Sequence, residues 1–177
     1  MCGQQSSVTG ELKCLCARCA ATQGSCCMDK DILLTRGDLL RISQHVGGFD
    51  FHEWRAPRNP AYLDQADDPH WNAWTVNGRG ERRVLRVWPD RSCTFLDEAG
   101  CRLPYEIRPL VCRLFPFSYV ETGLLELVDE CPLDLLAPGE SLLECLEMDI
   151  EKARRWHAQL YRELAEEASS TSPKPAL

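Results

Sequence analysis

No stretch of this 177-residue chain approaches the ~20 consecutive apolar residues that a membrane-spanning helix requires. Its opening, MCGQQSSVTGELK, also lacks the basic start and hydrophobic middle of a secretory signal. Together these absences predict a cytoplasmic protein without a membrane partner, in a compartment where thiols stay reduced and disulfides are rare. Positive charge is scarce as well: the formal charge is −7 and the pI about 5.1, which leaves no global field to attract nucleic acid. The one basic cluster, Arg79, Arg82, Arg83 and Arg86, reads as the solvated face of a strand. A P-loop, a dinucleotide glycine fingerprint and a hydrolase nucleophile elbow are all missing. So are the Cys-x₃-Cys-x₂-Cys spacing of a typical radical S-adenosylmethionine enzyme and any internal repeat.

Cysteine is what the chain does have: eleven residues, four of them within CARCAATQGSCC from Cys16 to Cys27. With 44% hydrophobic and 27% charged residues the composition is that of one ordinary globular domain with a real core. An odd cysteine total suits a fully paired disulfide scaffold poorly. A thioredoxin-like redox role for Cys16 and Cys19 requires a βαβ context, and none is visible around them. Metal ligation is the remaining reading, with thiolates presented by turn-rich loops free to converge.

The spacing predicts an α+β fold: a small cysteine-rich domain of short helices and hairpins, followed by a long amphipathic helix. Ile32 to Leu34 read as an extended run. Thr35 then caps a helix with Asp38 three residues on, and Leu39, Leu40, Ile42 and Val46 recur at helical spacing before the Gly47-Gly48 stop. A shorter helix is expected from Phe51 to Arg55, and loop over 56–72. Two hairpins are expected, one around Asn77-Gly78 with Val84, Leu85 and Val87 in its second strand, the other around Thr122-Gly123. The final helix is expected from Glu140 to about Ala168, with Leu142, Leu146, Ile150, Ala153, His157, Leu160 and Leu164 as its stripe. The domain plan is therefore 14–136 for the metal-binding unit, 139–168 for a helix packed on it, and 1–13 and 169–177 as flexible ends.

Eight cysteines form two sets, Cys16, Cys19, Cys26 and Cys27, then Cys93, Cys101, Cys112 and Cys131. These are the candidate ligands. Cys2, Cys14 and Cys145 are expected to stand aside, although Cys14 can exchange with Cys16. Arg108 and Arg113 are candidates to offset thiolate charge and donate hydrogen bonds to sulfur; a salt bridge fixing the Arg-Pro turn is the alternative for Arg108. His45, His52, His70 and His157 have no ligand-like spacing with the cysteines and read as surface or capping residues.

Read in order, the positions Cys16, Cys19, Cys26, Cys27, Cys93, Phe95, Leu96, Cys101, Tyr105, Arg108, Pro109, Cys112, Arg113, Phe115, Pro116, Cys131 and Pro132 resemble the YkgJ-type cysteine-cluster family, a zinc- or iron-chelating domain. That resemblance implies metal chelation and supplies no reaction. Six residues separate Cys19 from Cys26, where the family pattern has two, so the longer loop holds either the same site with slack or two sites. Related clusters in flagellin lysine N-methylases keep an enzymatic alternative open, a cluster-dependent redox or radical enzyme. The favoured expectation is a non-catalytic protein binding an iron–sulfur cluster, with zinc as the alternative, acting in metal handling, electron transfer or partner binding. Only Cys16 and Cys19 have the compact Cys-x₂₋₄-Cys form of structural zinc sites. The second set is spread by seven, ten and eighteen intervening residues, which favours the larger cluster.

Overall fold

The computed structural model describes residues 15–22, 26–63 and 66–171. The expected flexible lead 1–13, residues 172–177, and Cys2 and Cys14 lie outside them. The fold is α+β, built from short helices, small antiparallel hairpins and one long C-terminal helix. In chain order the elements are α1 (Leu15–Thr22), α2 (Arg36–Val46), β1 (His52–Arg55), α3 (Pro69–Thr75), β2 (Arg82–Leu85), β3 (Leu96–Asp97) and β4 (Gly100–Cys101). There follow α4 (Leu110–Leu114), β5 (Phe117–Val120), β6 (Gly123–Leu127), α5 (Leu142–Cys145) and α6 (Ile150–Thr171), with 3₁₀ turns at Pro60–Leu63, Tyr105–Ile107 and Leu133–Leu135.

The local signals around α2 act as the sequence predicts. The Thr35 hydroxyl accepts from the Asp38 amide while the Asp38 carboxylate accepts from the Thr35 amide, a reciprocal capping box. Gly47 ends the helix at φ 77°, a left-handed turn that glycine adopts without steric cost. The β5–β6 hairpin forms around Thr122-Gly123.

Four expectations are corrected. Residues 52–55 form strand β1 rather than a helix, and β1, not the segment before Asn77-Gly78, is the partner of β2, pairing His52 with Leu85 through Arg55 with Arg82. Pro69 opens helix α3 within the stretch read as loop and strand, proline being well tolerated in a first turn. Of the first hairpin as expected there survive the turn at Asn77-Gly78, where the Gly80 amide donates to the Asn77 carbonyl and the Asn77 amide to the Glu81 carbonyl, each at 2.9 Å, and the isolated bridge between Val76 and Arg82. Finally, the C-terminal helix is interrupted. Glu147 takes φ 53°, and Asp149 accepts from the Lys152 amide at 2.7 Å, restarting the helix as α6, which then runs on through residues 169–171.

The interruption rotates the buried stripe. Ala153, Trp156, Leu160, Tyr161 and Leu164 of α6 are buried, whereas Ile150 is exposed. They pack with Trp71 of α3, Leu110 and Leu114 of α4, Phe117 of β5, and Leu33. A second cluster gathers Leu34, Ile42, Phe51, Leu85, Cys93, Phe95 and Leu103. Leu33 and Leu34, neighbours in an extended run bonded to β2, divide between the two, as alternate side chains of a strand must. Two apolar clusters thus meet along residues 32–34.

Candidate metal centre

Each candidate thiol is placed by a different local device. Cys16 and Cys19 lie one turn apart on α1, not in a loop, so they share a helix face. That helix rests on β4 at Gly100, where a Cβ would stand 3.5 Å from the Ala17 nitrogen, and Gly100 itself takes φ 99°. Glycine serves twice here, for the turn and for the close approach, and the result sets Cys16 beside Cys101. Cys26 and Cys27 follow at the start of a strand-like segment. The Cys93 amide donates to the Cys27 carbonyl at 2.8 Å and the Asp29 amide to the Arg91 carbonyl at 3.0 Å, which ties the paired cysteines to the second set. Cys112 sits on α4, whose first amide, that of Leu110, donates to Asp38 Oδ1 at 3.1 Å. Cys131 opens the turn that packs against α1, where Arg18 and Glu140 form an ion pair at 2.8 Å.

Among these elements lies a cavity of about 320 Å³. Seven of the candidate ligands line it: Cys16, Cys19, Cys26, Cys27, Cys101, Cys112 and Cys131. Cys93 does not reach its wall. It is buried behind, packed with Cys27 and Cys101, and its sulfur accepts from the Phe95 amide at 3.4 Å. No disulfide joins any of the nine described cysteines, and Cys145, on α5, does not line the cavity. Among the described residues no three cysteine, histidine or acidic side chains already stand as a closed ion site. The thiols surround a space rather than a point.

Their electrostatics follow from that crowding. Burial pushes the Cys93 thiol up to about 12 and Cys131 up to about 11, and raises Cys16, Cys101 and Cys112 as well. At Cys26 a hydrogen bond with Cys27 raises the thiol first, and burial adds to it. Cys27 is the common neighbour, pushing up the thiols of Cys16, Cys19, Cys26, Cys93, Cys101 and Cys112. Cys131 feels mainly Cys16 and Cys19 once burial is set aside. A set of soft donors that resists ionisation by itself, yet is gathered round one space, fits a cation that supplies the missing positive charge.

The two arginine candidates separate. Arg108 is buried, lines the cavity, and holds down the Cys16 and Cys101 thiols against the effect of burial. Its Nε donates to the Leu103 carbonyl at 3.1 Å and its guanidinium lies 5.2 Å from the Tyr105 ring centre, with no carboxylate paired to it among the described residues. Arg113 does not line the cavity. Its Nε donates to the Arg108 carbonyl at 2.9 Å and its guanidinium lies 6.0 Å from the Trp156 ring centre, so it braces the turn that carries Arg108.

The histidines are engaged elsewhere or exposed. His157 Nε2 lies 2.7 Å from the Val120 carbonyl, His52 Nδ1 2.7 Å from the Phe49 carbonyl, and His70 Nδ1 2.6 Å from Glu121. Two residues of the site carried no recognised signal. Asp38, read only as a cap, also fixes α4 and hence Cys112. Arg82, read as part of a solvated face, is 4% exposed and lines the cavity. Arg83 is likewise drawn in, paired with Glu167 at 2.6 Å; Arg79 and Arg86 are exposed as expected. No helix among the described residues is long and apolar enough to cross a membrane.

No curated protein and no solved structure matches the chain significantly. A family model does, over residues 15–132, which takes in all eight candidate ligands, Arg108 and the whole cavity lining except Leu146. The chain belongs to the CxxCxxCC family, described as a "putative zinc- or iron-chelating domain".

Proposed function

We propose that the chain is a non-catalytic metalloprotein that holds an iron–sulfur cluster in the thiol-lined cavity and serves in electron transfer or metal handling. Its ligands are drawn from Cys16, Cys19, Cys26, Cys27, Cys93, Cys101, Cys112 and Cys131. The observation that carries this reading is that seven of these eight thiols, from both halves of the domain, line one cavity. Adjacent Cys26 and Cys27 both belong to that wall. Neighbouring side chains diverge, so two adjacent thiols are more easily satisfied by separate irons of a cluster than by one small ion. A bound cluster supplies one-electron chemistry, and Arg108 offsets part of the thiolate charge beside Cys16 and Cys101.

Zinc is the second reading, and one observation favours it. Cys131 stands by Cys16 and Cys19, while Cys93 and Cys112 stand by Cys27 and Cys101; with Cys27 reaching both groups, two ions could each draw ligands from both sets. The deciding measurement is iron and acid-labile sulfide in protein purified without oxygen from iron-replete cells. Coloured protein with iron and sulfide is expected. Colourless protein with stoichiometric zinc and no sulfide overturns the cluster.

A further inference from the structure

The cavity is larger and more apolar than thiol ligation requires. At about 320 Å³, the space round the thiols included, it reaches the lower end of the range for small-molecule sites. Away from the cysteines its wall is made by Leu33, Trp71 and Phe117 of the α6 cluster and by Tyr119, packed against that cluster.

Into this apolar wall is set a cation. Arg82 is 4% exposed. Its Nη2 donates to Asn72 Oδ1 at 2.6 Å, its Nε has no partner, and no carboxylate pairs with it among the described residues. Asp31 acts on Arg82 from a distance, but no described carboxylate pairs with this buried guanidinium directly, and an imperfectly compensated buried charge is expensive. The nearest acidic lining residue, Asp31, is already engaged, accepting from Arg55 and from the Arg58 amide at 2.8 Å; Glu130 at the wall is taken by Lys30 at 2.9 Å. Neither do the thiols account for Arg82. Arg108 is the arginine that acts on Cys16 and Cys101, whereas the charges felt by Arg82 are those of Asp31 and Tyr62.

We propose that the cavity binds a small monocarboxylate with an apolar body, its carboxylate on Arg82 and its body against Trp71, Phe117 and Tyr119, with the remote end toward the thiols. Guanidinium and carboxylate match in planar, bidentate geometry, which gives the anchor its selectivity. The site extends the metal-chelating reading without depending on which metal is held.

The test uses the full chain, purified without oxygen with its metal in place, titrated by calorimetry with 4-phenylbutyrate and with its neutral analogue 4-phenylbutan-1-ol. The acid is expected to bind about tenfold or more tightly than the alcohol. Arg82→Gln should reduce that preference to about twofold, with Arg82→Lys keeping part of it. Val128→Trp, which fills the cavity and leaves Arg82 alone, should abolish binding of both and stands in if the arginine variants do not fold. Equal binding of acid and alcohol, no binding of either up to about 10 mM, or full binding in Val128→Trp overturns the proposal. Metal content is measured on the same samples. In the unsubstituted chain, absent ligand binding with metal present sinks this inference alone, and ligand binding without metal sinks the chelation reading alone.

Discussion

At the scale of single residues, the thiols are unequal. Cys27 neighbours six of the other candidate ligands, while Cys145 interacts with Glu140 and Arg18 near α5 and lies outside the cavity wall. Cys27→Ser is therefore expected to lose most of the bound metal and Cys145→Ser to retain it, measured by metal analysis after identical anaerobic purification; equal loss in the two variants would overturn the partition. Arg108 gives a second contrast. Removing its charge leaves the Cys16 and Cys101 thiols harder to ionise, so Arg108→Gln should weaken metal affinity by about ten- to a hundredfold, the usual effect of groups that tune ligands from behind. Competition with a chelator at neutral pH reads this out. Arg113→Gln, which removes a brace rather than a cavity charge, should lower thermal stability more than it lowers affinity, and an affinity loss matching that of Arg108→Gln would merge the two roles.

At the scale of elements, α2 and α6 are held together by one carboxylate. Glu163 accepts from Arg41 Nη1 at 2.7 Å and Gln159 Nε2 at 2.8 Å, and also from the Thr35 hydroxyl, directly over Gly37 in the first turn of α2. A methyl at Gly37 would fall on that carboxylate. Gly→Ala normally gains about 1 kcal/mol inside a helix, but Gly37→Ala is expected to cost about 2 kcal/mol by displacing a part-buried ion pair. In a denaturation cycle with Glu163→Ala the two costs should fall short of additive by about 2 kcal/mol or more, since the contact is the whole source of the Gly37→Ala cost; additive costs would show that the contact does not matter. This glycine shows why elements were legible unevenly. Helix α2 is bounded by local chemistry, Thr35, Asp38 and Gly47, and could be read residue by residue. The same holds for the β5–β6 hairpin. Strand β1 could not, because four residues carry too little periodicity to choose between helix and strand, and its partner β2 lies some thirty residues on. The break at Glu147 was hidden by an apolar stripe that continues across it, and the cap that restarts the helix, Asp149 on the Lys152 amide, shows only in the fold. The site divides in the same way. Cysteine spacing marks the thiols because the residue type carries the chemistry. Arg82 was invisible because arginine on a strand is ordinarily solvated, and only the tertiary fold buries it.

At the scale of the whole molecule, the metal's hold on the fold should be local rather than global. The α6 cluster, with Trp71, Trp156, Leu160 and Leu164, contains none of the candidate ligands. Helix α1 is different. Eight residues are too few to be helical alone, and its attachments are Leu15 and Ala17 buried, the contact at Gly100, the Arg18–Glu140 pair, and two candidate ligands. The Cys131 turn packed on it has even fewer buried side chains. Ligation joining Cys16 and Cys19 to thiols of the other set is thus the strongest tie available to this corner. Structural zinc sites contribute on the order of 10 kcal/mol, comparable with the whole stability of a domain. Chelation should accordingly raise amide hydrogen exchange in 15–22 and 131–137 by about a hundredfold or more, while amides of 153–165 in α6 keep most of their protection. Exchange followed by mass spectrometry, with and without chelator, resolves these segments. Uniform loss of protection over the chain would mean that the metal holds up the entire fold, and unchanged exchange in 15–22 would mean that α1 is not tied to the metal at all.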